Sequence, residues 1–321
     1  MNAQAPAAGQ LTANAQCFAS IFLWASGFVA LEYLLDDWGA LSLNALRLFV
    51  SAAFLLLWWV IRAGVKPIFE APWRRGLWVG GLGWGVGSLM LFLGQRLSDP
   101  VTTTIIVAMM PLAGAAIEVV FEGRRLTTAI VVGILLAVGG GYLATGVALH
   151  DGDFGIGVAF CAIAIVLFAW ATRATTRQLG ELSPTGQTTV TMIGGALVAL
   201  ILYGVFRLAG SEETRPGAVS MQVLWPFLIY MLPSSGIAQL LWIYGAGRLG
   251  VMLASFHMNA APFYVMLILL MLSKADWQSS RALGAGLVIL GVILSQSRDW
   301  RERKAARRLK GSNFQPPEPQ A

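Results

Sequence analysis

Apolar runs of about 20 residues recur along nearly the whole chain, from Ala15 to Ser295, with short polar interruptions between them. A run of that length crosses the hydrocarbon core of a bilayer as one helix. Hydrocarbon offers no partner to a backbone N–H or C=O, so a chain built this way must close its hydrogen bonds inside helices. Composition agrees. Of 321 residues, 57% are hydrophobic and 12% charged, and the mean hydropathy is +0.69, which leaves too few charges to clothe a soluble surface. The expected class is an all-α integral membrane protein.

The runs place ten transmembrane spans near residues 16–35, 40–61, 75–96, 100–121, 127–147, 154–178, 185–207, 223–246, 250–272 and 281–297. Residues 1–15 read as an N-terminal tail without Lys or Arg; the full-length span behind them argues against a cleaved signal peptide. The longest polar stretch between spans, Leu208 to Gln222, has no room for a soluble domain. Residues 298–321 form a tail that is first basic, suited to anionic lipid, and then Pro-rich.

Lys and Arg resist translocation, so their loops mark the cytoplasmic side. Arg62, Lys66, Arg74, Arg75, Arg124, Arg125, Arg173, Arg177, Arg248 and the seven basic residues from Arg298 to Lys310 fall on one side and account for 16 of the 22. The opposite loops carry Asp36, Asp37, Asp99, Asp151, Asp153, Glu212, Glu213 and Asp276. An even number of spans with both termini cytoplasmic satisfies this alternation, and a bacterial-type inner membrane is the expected location. The sequence pI of about 9.7 comes from these loops and the tail, not from an amphipathic face, so no nucleic-acid partner is expected. Cys17 and Cys161 read as small core residues; no metal-ligand spacing surrounds them, and neither a metal nor another cofactor is expected. Trp38, Trp58, Trp59, Trp73, Trp225, Trp277 and Trp300 lie at span ends, where indole favours the headgroup level, with Trp78 close by.

A shift of 151 residues aligns Gly85 with Gly236, Gly94 with Gly245, Thr104 with Ser255, Pro111 with Pro262, Gly133 with Gly284 and Gly140 with Gly291. The early spans align at shorter offsets, with Trp24 opposite Trp170. Each half, 16–150 and 151–297, holds an odd number of spans, so the second must enter the membrane inverted. Inverted five-helix repeats around a central cavity are the geometry of alternating-access carriers.

Phe22-Leu23-Trp24-Ala25-Ser26-Gly27-Phe28 in span 1, Leu46-Arg47-Leu48 in span 2, Thr104 to Pro111 in span 4 followed by Glu122-Gly123-Arg124-Arg125-Leu126, and Gly133, Leu135, Gly139 and Gly140 in span 5 resemble the drug/metabolite transporter superfamily of the EamA type. The likeness covers about residues 15–297. It implies a central cavity lined mainly by spans 1, 3, 4, 6, 8 and 9, and transport of amino acids, related metabolites, sugars or drugs. The second half departs from the pattern, with Ser273 at the position of Glu122 and Thr188 at that of Arg47.

An ionisable side chain inside a span is costly and defaults to a functional reading. Glu32 and Arg47 are placed to form a salt bridge fixing the first hairpin, or to contact substrate or a proton. Glu118, near Arg124 and Arg125, is expected to snorkel to the cytoplasmic surface. His257 and Asn259 either line the substrate path, with His257 a candidate for proton coupling, or bond a neighbouring helix. Ser235, Gln239 and Trp242 share one face of span 8, where the Gln239 amide beside the Trp242 indole is a candidate to bind an amphipathic ligand, and Trp24 and Trp170 are candidate walls of an apolar cavity or plain packing residues. Pro111 and Pro262, each lacking an amide donor, are candidate hinges. The Gly81, Gly83, Gly85, Gly87 string lies inside an apolar run and reads as close helix packing, not as a nucleotide loop.

These expectations add up to a transporter, not an enzyme: an exporter of a small amphipathic metabolite such as an amino acid, partnered by lipid and by its cargo. A sugar, nucleotide sugar or drug is the alternative cargo, and a lipid-modifying membrane enzyme the alternative class. No mid-span cluster of Arg or Lys is present to hold a diphosphate.

Overall fold

The computed structural model describes residues 7–98, 100–123 and 155–272, together with single positions between 128 and 140 and between 279 and 294. Helix is the sole regular secondary structure among them. We number the rods α1 (Ala7–Glu32), α2 (Ala40–Ala63), α3 (Trp73–Arg96), α4 (Pro100–Ala108 continued by Met110–Glu122), α5 (Ile156–Gln178), α6 (Pro184–Leu208) and α7 (Leu224–Leu249). The last, α8, joins Val251–Ser255, a 3-10 turn at Phe256–Ala260 and Ala261–Met271. They correspond to spans 1–4 and 6–9. Spans 5 and 10, Arg124, Arg125 and the tail fall outside the described residues, apart from those single positions.

Among the described residues seven helices are long and apolar enough to cross a membrane, and Phe256–Met271 is a shorter apolar segment. The first begins at Ala7, not at residue 16, because Ala7-Ala8-Gly9-Gln10-Leu11 carries on the helix ahead of the apolar run. Elsewhere the helix ends fall within three residues of the sequence-based limits. Local chemistry sets several of them. Ser183 caps α6 by accepting from the Gly186 amide, with Pro184 in its first turn. Gly123 stops α4 in the left-handed conformation, φ 64°.

Glycine contacts explain why α3 is so rich in that residue. It lies between α5 and α6 and touches both nearly backbone to backbone. A Cβ at Gly80 would fall on the Thr191 carbonyl of α6, and one at Gly83 on Ala171 of α5. One at Gly87 would lie 2.9 Å from the Phe168 ring. Further out, Gly94 faces the Cys161 sulfur and the Gly157 carbonyl, 2.9 Å from where its Cβ would be. The same fit recurs between α7 and α1, where Gly245 faces the Cys17 sulfur and the Ala13 carbonyl at 3.0 Å. The two cysteines are thus small core residues seated against glycine, in matching places.

Two interruptions recur as well. Residues 81–86 of α3 and 233–237 of α7 are wound as π-helix. The α-helical run of α4 breaks at Met109 and that of α8 passes through its 3-10 turn, with Pro111 and Pro262 in the first turn of the segment that follows each break. Under the 151-residue shift both kinds of interruption coincide.

On the acidic-loop side the segment between α6 and α7 straps the bundle. Its Arg215 carbonyl accepts from the Gly39 amide at 2.8 Å, and Glu213 accepts from the Ala40 amide at 3.2 Å, capping α2, while also pairing with Arg96 at the end of α3. Arg215 donates to the Asp36 carbonyl at 2.9 Å. Trp38 lies under this strap against Gly217, and Trp59 is buried against Gly186, so both rings pack inside the protein and do not face lipid; Trp78, 66% exposed, does face outward.

Candidate functional site

All eight described helices contribute to one central cavity, with about 540 Å³ of empty space when its open mouth is included. Its lining runs from Ser20, Ile21 and Trp24 on α1 through Arg47 and Leu48 on α2, Trp84 and Ser88 on α3, Met110 on α4, Phe168 on α5 and Met192 on α6 to Ser234, Ser235, Ala238, Gln239 and Trp242 on α7 and Met258 on α8. The walls therefore include α2 and α6, beyond the helices the family likeness implied. An adjoining chamber of about 320 Å³ shares Trp24, Arg47, Ser88 and Ser234 and extends past Phe28, Leu31, Gln95 and Tyr230, toward the strapped end.

The π-helical turns supply polar groups here. An extra residue per turn rotates the following side chains, and such turns cluster at functional sites. Trp84 sits on one, and Ser234 and Ser235 on the other.

Arg47 is the one charged residue in the described lining of either chamber. Its Nη2 donates to Asn44 Oδ1 at 3.3 Å, Ser88 donates to the same oxygen at 2.9 Å, and the guanidinium carbon stands 5.1 Å from the centre of the Tyr230 ring. Nε has no hydrogen-bond partner among the described residues. The anticipated ion pair with Glu32 is absent, and no carboxylate among the described residues lies within salt-bridge distance of Arg47. Glu32 is exposed at the last residue of α1, whereas Arg47 lies two turns inside α2 and faces the cavity. Asn44 and Tyr230, which hold the guanidinium, were not foreseen; Asn44 stands three residues before Arg47, on the same helical face.

Trp24 packs edge-to-face on Phe28 at 4.8 Å and on Phe168 at 6.3 Å, and Phe168 stacks with Trp84 at 5.6 Å. Trp170, expected opposite Trp24, does not line either chamber; Phe168 does. The register that relates Cys17 to Cys161 also carries Trp24 onto Phe168, two residues from the alignment of one tryptophan on the other. On the far wall Trp242 donates to Thr172 at 3.0 Å, while the indole N–H of Trp84 and Nε2 of Gln239 have no partner among the described residues. Leaving a buried donor unsatisfied costs about 1–3 kcal/mol.

His257 lies outside both chambers. Its Nδ1 is 3.1 Å from the Ala254 carbonyl, and its ring meets Phe18 of α1 edge-on at 4.6 Å. In the 3-10 turn it is Met258, one residue on, that reaches the cavity. Asn259 is buried with neither amide atom bonded, and it lines neither chamber. Glu118 is half-buried in α4, two turns beyond Pro111, and the arginines expected beside it lie outside the described residues. No cluster of His, Cys, Asp or Glu suited to a metal occurs among the described residues.

The model of the EamA-like transporter family matches residues 11–146 and again 155–296. No curated protein matches the sequence. Among solved structures, a chain described as "Crystal structure of protein" superposes with a TM-score of 0.70 at 21% identity, over 89% of this chain and 97% of that one. At that identity the likeness concerns the fold.

Proposed function

The chain belongs to the EamA-like transporter family, and on that premise we propose that it exports a small amphipathic metabolite, an amino acid or related compound, across an inner membrane by alternating access. Ten spans in two inverted five-helix halves, with both termini cytoplasmic, complete this reading. Its main support is the central cavity, walled by helices from both halves and bearing, among its described residues, one cation beside aromatic and Met side chains. A single guanidinium suits one small anionic group; a diphosphate would call for several cations.

Alternation needs two arrangements of similar free energy. The strap at the acidic-loop end and the exposed Arg75–Glu181 pair at the other, 3.4 Å apart, are contacts that each opening must release. Exposed pairs of this kind contribute about 0–1 kcal/mol, so their exchange is cheap. The breaks before Pro111 and Pro262 serve as matched hinges. His257 is given no part in proton coupling here, because it packs outside the cavity on α1.

Purified protein in proteoliposomes, assayed with radiolabelled amino acids, organic acids, sugars and drugs, tests the proposal. Saturable flux of at least one amphipathic solute is expected, with net movement from the cytoplasmic side. Uptake indistinguishable from empty liposomes across the panel would refute it.

A further inference from the structure

We propose that the cargo is an organic monocarboxylate with an apolar or aromatic body and no ammonium group, its carboxylate held by Arg47; this rests on the transport reading above and, within it, selects the related compound over the amino acid itself. The buried polar atoms without partners on residues lining the main chamber are Arg47 Nε, Trp84 Nε1 and Gln239 Nε2. All three are donors, they come from α2, α3 and α7, and each nitrogen is itself closed off from solvent, so a ligand meets them only as these side chains turn toward the chamber. A carboxylate is the complement of such a set, because it brings acceptors alone and can take two parallel bonds from one guanidinium.

The Arg47 head is held in place for this. Asn44 engages Nη2, and the Tyr230 ring lies against the guanidinium, leaving Nε uncommitted. An ammonium group finds the opposite conditions. No carboxylate lines either chamber in the described residues, and the charge already present repels it. A sugar would bring many hydroxyls to walls that are mostly Trp24, Trp84, Phe168, Trp242 and methionines. Those same rings suit an aryl or alkyl body. Among the described residues of the side chamber, Tyr230 Oη and Gln95 Oε1, both able to accept, also lack partners, and neither residue lines the main chamber.

Three probes with one body separate the charge types: 3-phenylpropionate, L-phenylalanine and 2-phenylethylamine. Their affinities for the purified full-length protein are read by calorimetry, and their flux by counterflow in proteoliposomes. The proposal expects 3-phenylpropionate to bind at least about tenfold more tightly than phenylalanine, with the amine weaker still. Arg47→Gln should abolish that preference, and Trp84→Phe, which keeps the ring and removes the N–H, should weaken 3-phenylpropionate severalfold without affecting the amine. Equal or tighter binding of phenylalanine or the amine, no binding of any probe, or unchanged 3-phenylpropionate affinity in folded Arg47→Gln would overturn it. Saturable flux of other solutes without anion preference would leave the transport reading standing and remove this one; absence of all flux would remove both.

Discussion

Arg47→Met is expected to cut saturable flux about 100-fold while the protein melts at the same temperature or higher. The magnitude follows from what the cavity would lose, since removing one partner of a desolvated, hydrogen-bonded charge pair costs about 2–5 kcal/mol. The unchanged or raised stability follows from the reverse argument. In the empty cavity the guanidinium bonds one neutral amide, leans on one ring and leaves Nε unsatisfied, with no counter-charge beside it among the described residues. A half-buried charge without a counter-charge adds little to the fold, and methionine fills much the same volume without it. Flux and melting temperature measured on one preparation check both halves. Joint loss of flux and stability would mean that Arg47 is a structural residue. Asn44→Ala should fall between, because it frees Arg47 to swing while leaving its charge.

Gly80→Val is expected to abolish folding altogether, at a cost above about 4 kcal/mol, beyond the ordinary range for single substitutions. The added Cβ would fall on the Thr191 carbonyl, with the Thr191 Cα 2.7 Å away, so backbone would have to move against backbone. Nor can α6 yield easily, because its own Gly194 lies with a prospective Cβ 2.6 Å from the Leu77 carbonyl of α3. Gly204→Ala in the same α6 is the control. Nothing lies within 4 Å of its Cβ position, and alanine should stabilise the helix by about 0.5–1 kcal/mol. Size-exclusion profiles and melting curves of the detergent-solubilised variants distinguish these outcomes.

Much of the fold was legible because its signals are local and strong. Apolar runs set eight helices, and glycine inside an apolar run marked α3 as a tightly packed rod, which the contacts of Gly80, Gly83 and Gly94 explain. The site was less legible, for geometric reasons. Arg47 stood out as a charge within a span, but pairing it with Glu32 used closeness along the chain and ignored rotation about the helix. The partner that does hold it, Asn44, is one turn away. Opposing Trp24 to Trp170 instead of Phe168 rested on matching like residues, whereas the Cys17 and Cys161 seats set the register two residues away. His257 drew attention as a titratable group, yet the 3-10 turn directs Met258 to the cavity and His257 to Phe18. The π-helical turns behind Trp84 and Ser235 depend on one extra residue per turn, which hydrophobic periodicity does not resolve.

The most direct test of the central claim, a cavity that opens to each side in turn, is the sided accessibility of Ser235→Cys. Ser235 lines the main chamber on the π turn of α7, and the background would carry Cys17→Ala and Cys161→Ala, both of which keep the small side chain that Gly245 and Gly94 require. In sealed vesicles of known orientation, a membrane-impermeant thiol reagent should label this cysteine from either face, and a saturating transported solute should slow both reactions. Labelling from one face alone, with and without that solute, would contradict alternating access.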